Sequence, residues 1–104
     1  RTKYIGPKGR FWMRSSWEVA FARWLDHCGI DWQYEPRKFD LGNGRSYTPD
    51  FYLPHQREFV EIKGWMTKAQ KKKYDLFGQK YPDVKLYMFF QKHLAQVLEF
   101  RKVA

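Results

Sequence analysis

The sequence predicts an α/β fold, a mixed sheet flanked by helices in the order helix, three antiparallel strands, helix, strand, helix. Three observations carry this. An apolar stripe at helical spacing runs from Ser15 to Cys28 and stops at Gly29. Two apolar runs of strand type, Tyr47 to Leu53 and Glu58 to Gly64, flank a polar turn from Pro54 to Arg57. After Gly64 the period becomes helical and then alternates again. Such a strand–helix–strand unit implies a right-handed crossover and parallel pairing.

Residues 1–14 read as a basic N-terminal arm, and residues 15–104 as a single domain. The arm carries Lys8, Arg10 and Arg14 with Tyr4, Phe11 and Trp12 between them, while Gly6-Pro7 and Gly9 act as breakers. It is expected to be an irregular lead-in, lying along phosphates or serving as a solubilising tail. In the first helix Trp17, Ala20, Phe21, Trp24, Leu25 and Cys28 form one stripe. Ser15 is the natural N-cap, and Cys28 reads as an inert buried thiol. Glu18, three residues after Ser15, has the spacing of a capping box, and equally that of a third carboxylate facing the site described below.

Ile30, Trp32 and Tyr34 alternate with polar residues and predict a strand buried on one face, ended by Pro36. Glu35 is expected to form an ion pair on the sheet, the alternative being a further acid that approaches the site. Phe39 and Leu41 lead into Gly42-Asn43-Gly44, a tight-turn signal, and a strand follows from Ser46 to Leu53. Thr67 can cap a helix to about Tyr81, packed through Tyr74, Phe77 and Tyr81 and carrying Lys68, Lys71, Lys72, Lys73 and Lys80. Val84 to Phe90 predicts a strand buried on both faces. A short helix anchored by Leu94, Val97 and Leu98 closes the order.

The chemistry is expected on the hairpin. Even pairing across the turn opposes Leu53 to Glu58 and Asp50 to Glu61, and opposed residues share a face with Cβ atoms about 5 Å apart. Lys63, two residues past Glu61, shares that face, while Phe51, Val60 and Ile62 point into a core. Opposed like charges destabilise a sheet unless something offsets them. A divalent cation held by hard oxygens, magnesium or manganese, would do so. A surface hairpin with Lys63 bridging two solvated acids is the plainer alternative.

With 20 Lys+Arg against 11 Asp+Glu the formal net charge is +9, and aromatic residues make up 20% of the chain. A polyanion is the expected partner, with Lys68, Lys71, Lys72, Arg14, Arg10 and Lys8 as its contacts. No apolar run is long enough to span a bilayer, and no signal peptide is read at the start. A single cysteine permits no internal disulfide and fits a reducing cytoplasm. His27, His55 and His93 fall on different elements and suggest no zinc site.

The order of Glu18, Pro49-Asp50 and Glu61-Ile62-Lys63 resembles the PD-(D/E)XK nuclease superfamily, whose fold is the restriction-endonuclease-like mixed sheet flanked by helices. The longer run Tyr47-Thr48-Pro49-Asp50-Phe51, Leu53-Pro54, Phe59-Val60-Glu61 and Lys63-Gly64, with the lysine-rich helix ending at Tyr81-Pro82, is similar to the phage endonuclease I type of Holliday-junction resolvase. The resemblance implies magnesium-dependent hydrolysis of DNA phosphodiester bonds, with manganese able to substitute and branched DNA as a substrate. It implies Asp50, Glu61 and Glu18 as metal ligands, and Lys63 as the residue that orients water and stabilises charge on the phosphate. It also implies the Ile62 carbonyl facing the metal, a homodimer, and action in the cytoplasm of a bacterial or phage-infected cell. A homing or nicking endonuclease of the same fold, or a non-catalytic nucleic-acid-binding module, are the alternatives.

Overall fold

Gly6 and Gly9 bracket a two-residue turn, Pro7-Lys8, and the N-terminal residues fold into a hairpin of β1 (Thr2–Gly6) and β2 (Gly9–Met13). The expected irregular lead-in is thereby corrected. Tyr4 and Met13 point inward and are fully buried, while Lys3, Ile5 and Trp12 face out. The Tyr4 hydroxyl donates to Asp26 Oδ2 at 2.6 Å, which ties the hairpin to the first helix. The apolar alternation thus serves packing, with the basic residues left on the outer side. The computed structural model describes residues 1–94.

Helix α1 (Ser16–Cys28) starts at Ser15, whose Oγ accepts from the Glu18 backbone N–H at 3.2 Å. It ends at Gly29, whose φ of 69° is a left-handed cap. Cys28 is exposed rather than buried, because the last helical turn runs past the edge of the packed stripe. Strand β3 is shorter than expected, Gln33–Tyr34 only, although Trp32 before it is fully buried.

The stretch from Phe39 to Leu53 departs most from expectation. β4 (Phe39–Gly42) and β5 (Arg45–Tyr47) form their own ribbon around Asn43-Gly44, both at positive φ. The predicted Ser46 to Leu53 strand breaks at Thr48-Pro49-Asp50 and resumes as β6 (Phe51–Leu53). Proline has no N–H for a ladder, so the chain changes sheet there. β6 pairs antiparallel with β7 (Glu58–Lys63) in the expected register, Leu53 opposite Glu58 and Phe51 opposite Val60.

Thr67 caps α2 (Lys68–Lys80) through a full capping box with Gln70. Tyr74 and Phe77 are buried on its packing face, as expected. Strand β8 (Leu86–Phe90) then lies parallel to β7, Glu61 opposite Met88. It is not buried on both faces, since Tyr87 is 54% exposed. Leu94 is buried, and the rest of the expected closing helix, with Val97 and Leu98, lies outside the described residues.

The main sheet has the order β3-β6-β7-β8. One face packs Phe51, Val60 and Ile62 against α1 and the N-terminal hairpin. The other packs Phe59, Leu86 and Met88 against α2 and the β4-β5 ribbon. A mixed α/β architecture is therefore observed. Alternation along β7 sends Glu61 and Lys63 to the α2 side, and the site forms at that edge.

Candidate active site

The break at Pro49 decides the local geometry. It frees Asp50 from the ladder, so its backbone and side chain turn toward β7. The Asp50 N–H donates to Glu61 Oε1 at 3.2 Å, and Asp50 Oδ2 accepts from the Ile62 N–H at 2.8 Å. The ladder ends at Phe51–Val60, so Asp50 is not paired with Glu61 in register; these two bonds, one to Glu61 and one from the Ile62 backbone, bring it beside β7 instead. Both carboxylates are buried, Asp50 at 4% and Glu61 at 7% exposure. Lys63 Nζ lies 3.7 Å from Glu61 Oε2, on the expected face.

Two tyrosines fix Glu61 from outside the hairpin. The Tyr47 hydroxyl donates to Oε1 at 2.8 Å, and the Tyr74 hydroxyl donates to Oε2 at 3.2 Å. Burial, then the Glu61 charge, raises both phenols well above their ordinary range, so they stay protonated donors. Sequence reading assigned neither of them to the site. A buried tyrosine hydroxyl needs an acceptor, and here Glu61 supplies one to each ring.

Glu18 is buried at the start of α1. Its Oε2 accepts from Ser15 Oγ at 3.0 Å and its Oε1 from the Tyr34 hydroxyl at 2.5 Å. The carboxylate therefore meets the Ser15 side chain rather than the cap backbone of a capping box. Its charge still reaches the site, helping to raise both Asp50 and Glu35. Among the described residues, no group of three or more His, Cys, Asp or Glu side chains is arranged to hold one ion. Asp50 and Glu61 are the close pair.

A cleft of about 290 Å³ opens beside Glu61. Arg14, Lys63 and Lys73 line it, with Ser46 and Thr48. Arg14 also pairs with Glu35 at 2.6 Å; the ion pair expected for that acid forms, but just past the ends of β2 and β3 rather than on the sheet. Lys73 Nζ sits 4.9 Å and 5.0 Å from the ring centres of Tyr47 and Tyr74. Desolvation, then the Lys63 charge, lowers its pKa. Lys68, Lys71 and Lys72, the helix lysines singled out in the sequence, are exposed, and Lys71 pairs with Asp75 at 3.2 Å. Lys8 is bound to Asp31, toward the opposite end of α1 from Glu18. Arg10 is exposed on β2, opposite Ile5. Of the six predicted phosphate contacts, only Arg14 lines the cleft.

The family model described as phage endonuclease I matches residues 3–102. The chain belongs to the phage endonuclease I family. It is 33% identical over 91 residues to endonuclease I of Escherichia phage T7, across 85% of this chain and 59% of that protein. The chain thus spans about three fifths of the length of that relative. In this family member no helix of the described residues is long and apolar enough to cross a membrane.

The paired acids have a consequence for stability. Burial, and then the charge of Glu61, pushes the Asp50 carboxyl up to about 8. The folded state then keeps a proton that the unfolded chain releases near pH ~4. Stability contributed by that proton is present below pH ~4 and is lost as pH rises through about 8. In chelator, the wild-type Tm is expected to fall between pH ~5 and pH ~8, and Asp50→Asn to lose less than about half as much. At the upper pH the variant should melt at least ~4 °C higher, equivalent to about 1 kcal/mol for a domain of this size. Thermal melts followed by circular dichroism measure both.

Proposed function

We propose that this chain is a magnesium-dependent endonuclease that hydrolyses DNA phosphodiester bonds, with branched DNA such as a four-way junction as its substrate. The observation that carries the reading is the buried Asp50–Glu61 pair with Lys63 at 3.7 Å from Glu61. Family membership and the endonuclease name of its relative support it. The PD-(D/E)XK superfamily, with its restriction-endonuclease-like arrangement, is the fold we assign. Action in the cytoplasm of a phage-infected cell, as a homodimer, goes with the same reading.

The donor set fits the ion. Magnesium is commonly held by one or two carboxylates, completing its shell with water and substrate phosphate oxygens. Asp50 and Glu61 would hold it, with manganese able to substitute, and Glu18 adds negative charge from α1. Bound there, the ion supplies Lewis acidity toward the phosphoryl oxygen and toward water. The side chains do the rest. Tyr47 and Tyr74 hold the Glu61 carboxylate in one orientation. The Lys63 ammonium offsets charge that grows on the phosphate oxygens, in a cleft where it is partly shielded from water. A purely DNA-binding module would gain nothing from two buried acids beside its phosphate site, because they repel the ligand.

The test is cleavage of a labelled four-way DNA junction and of a linear duplex of the same sequence, each with magnesium and with chelator. Magnesium-dependent cutting of the junction alone is the expected result. Cutting of both substrates assigns a homing or nicking role. Binding of both without cutting under any divalent ion overturns the endonuclease reading.

A further inference from the structure

Within the lysine run of α2, Lys73 stands apart. Exposed lysines on a helix are ordinarily solvated and mobile. Lys73 instead lies over two aromatic rings, 4.9 Å from the centre of Tyr47 and 5.0 Å from that of Tyr74. The same two tyrosines bind Glu61 through their hydroxyls, so the ammonium is fixed relative to the acid. It lines the cleft together with Arg14, Lys63 and the side chains of Ser46 and Thr48. Arg14 is paired with Glu35 and Lys63 with Glu61, so among the described residues Lys73 is the cation of this cleft with no acid partner. A cleft so built attracts an anion, and two hydroxyls add donors for its oxygens.

Resting on the endonuclease reading, we propose that Lys73 is a positioning residue which, with Arg14, holds the phosphodiester adjacent to the scissile one. The division of labour follows from the partners of the two lysines. Lys63 is within 3.7 Å of Glu61 and so belongs to the reacting phosphate. Lys73 makes no ion pair with either acid among the described residues; it shares the Tyr74 ring with Lys63, at 5.0 Å and 5.4 Å, and alone lies over Tyr47. A strand entering the site presents one phosphate to Lys63 and the next to Lys73. Held at two points, the backbone is aligned for attack at the first.

Steady-state cleavage by wild type, Lys73→Met and Lys73→Arg tests this, with DNA carrying a neutral methylphosphonate at each phosphate around the cut. Lys73→Met should raise KM about tenfold and change kcat less than about threefold, and Lys73→Arg should restore most of the loss. For wild type, one methylphosphonate next to the cut should cost about tenfold in kcat/KM. With Lys73→Met the same modification should cost less than about twofold, since its partner is already gone. If the two losses multiply, or Lys73→Met lowers kcat with KM unchanged, the assignment is overturned. So it is if Lys73→Met equals wild type while unmodified DNA is cut normally. If wild type itself cuts no DNA with any divalent ion, the endonuclease reading fails first and takes this assignment with it.

Discussion

Glu61→Gln should slow magnesium-dependent DNA cleavage by on the order of 10³-fold, about 4 kcal/mol of transition-state stabilisation. The reasoning is local. Glutamine keeps the shape of the side chain, and the Tyr47 and Tyr74 hydroxyls can rotate to meet an amide. What disappears is one of the two negative charges that would hold the ion, and the partner of Lys63 at 3.7 Å. DNA binding in chelator should persist or tighten, because a charge that repels phosphate has gone. Single-turnover cleavage beside a filter-binding assay separates the two effects. Loss of binding together with cleavage would mean that Glu61 acts in folding instead.

Phe51→Ala should cost about 3–5 kcal/mol of stability, the range for emptying a large aromatic site in a core. Phe51 is fully buried, with ring centres 5.1 Å from Phe21, 5.6 Å from Trp32 and 5.5 Å from Tyr34. Those rings come from α1, from the segment before β3, and from β3 itself, so they cannot all close on the cavity. A domain of this size is stabilised by roughly 5–15 kcal/mol in all, so the loss is a large fraction. Urea titration should give a midpoint shift of that energy with an unchanged slope. Phe51→Leu, which keeps most of the volume, should lose markedly less. Phe51 also directly follows Asp50 and opens β6, so cleavage should weaken in step with folding.

The hairpin that carries the site was legible because its period of two is strict and its turn is polar. A one-residue slip would have put Val60 and Ile62 in water, so the register followed from burial alone. The nearness of Asp50 and Lys63 to Glu61 came with it. The N-terminal hairpin was not legible in the same way. Gly6-Pro7 and Gly9 signal a turn as readily as an irregular arm, and the basic residues drew attention away from the inward set of Tyr4 and Met13. Those two pack on the stripe of α1 and on Trp32, contacts that form only in the folded chain. The strand from Ser46 to Leu53 looked continuous because residues of strand type, Tyr47 and Thr48 before Pro49 and Phe51 to Leu53 after it, stand on both sides. The proline, read there as part of a motif, is also the physical reason why the strand stops.

Lys73 shows a different limit. Five lysines in one helix have the same charge and propensity, and periodicity separates faces only to within a residue or so. Which of them stands at the edge of the packing face depends on the tyrosines that meet it from β5 and α2. Glu18 was legible as an acid with two candidate partners. The fold gives it Ser15 and Tyr34 as hydrogen-bond partners and leaves its charge within reach of Asp50.

The central claim is that Asp50 and Glu61 together hold a divalent ion. Crystals of the protein soaked in manganese test it directly, by anomalous diffraction collected for wild type and for Asp50→Asn. An anomalous peak between the two carboxylates in wild type, lost in the variant, is the predicted result. A wild-type crystal with no peak there at millimolar manganese, or with its only peak at another group, would contradict the account.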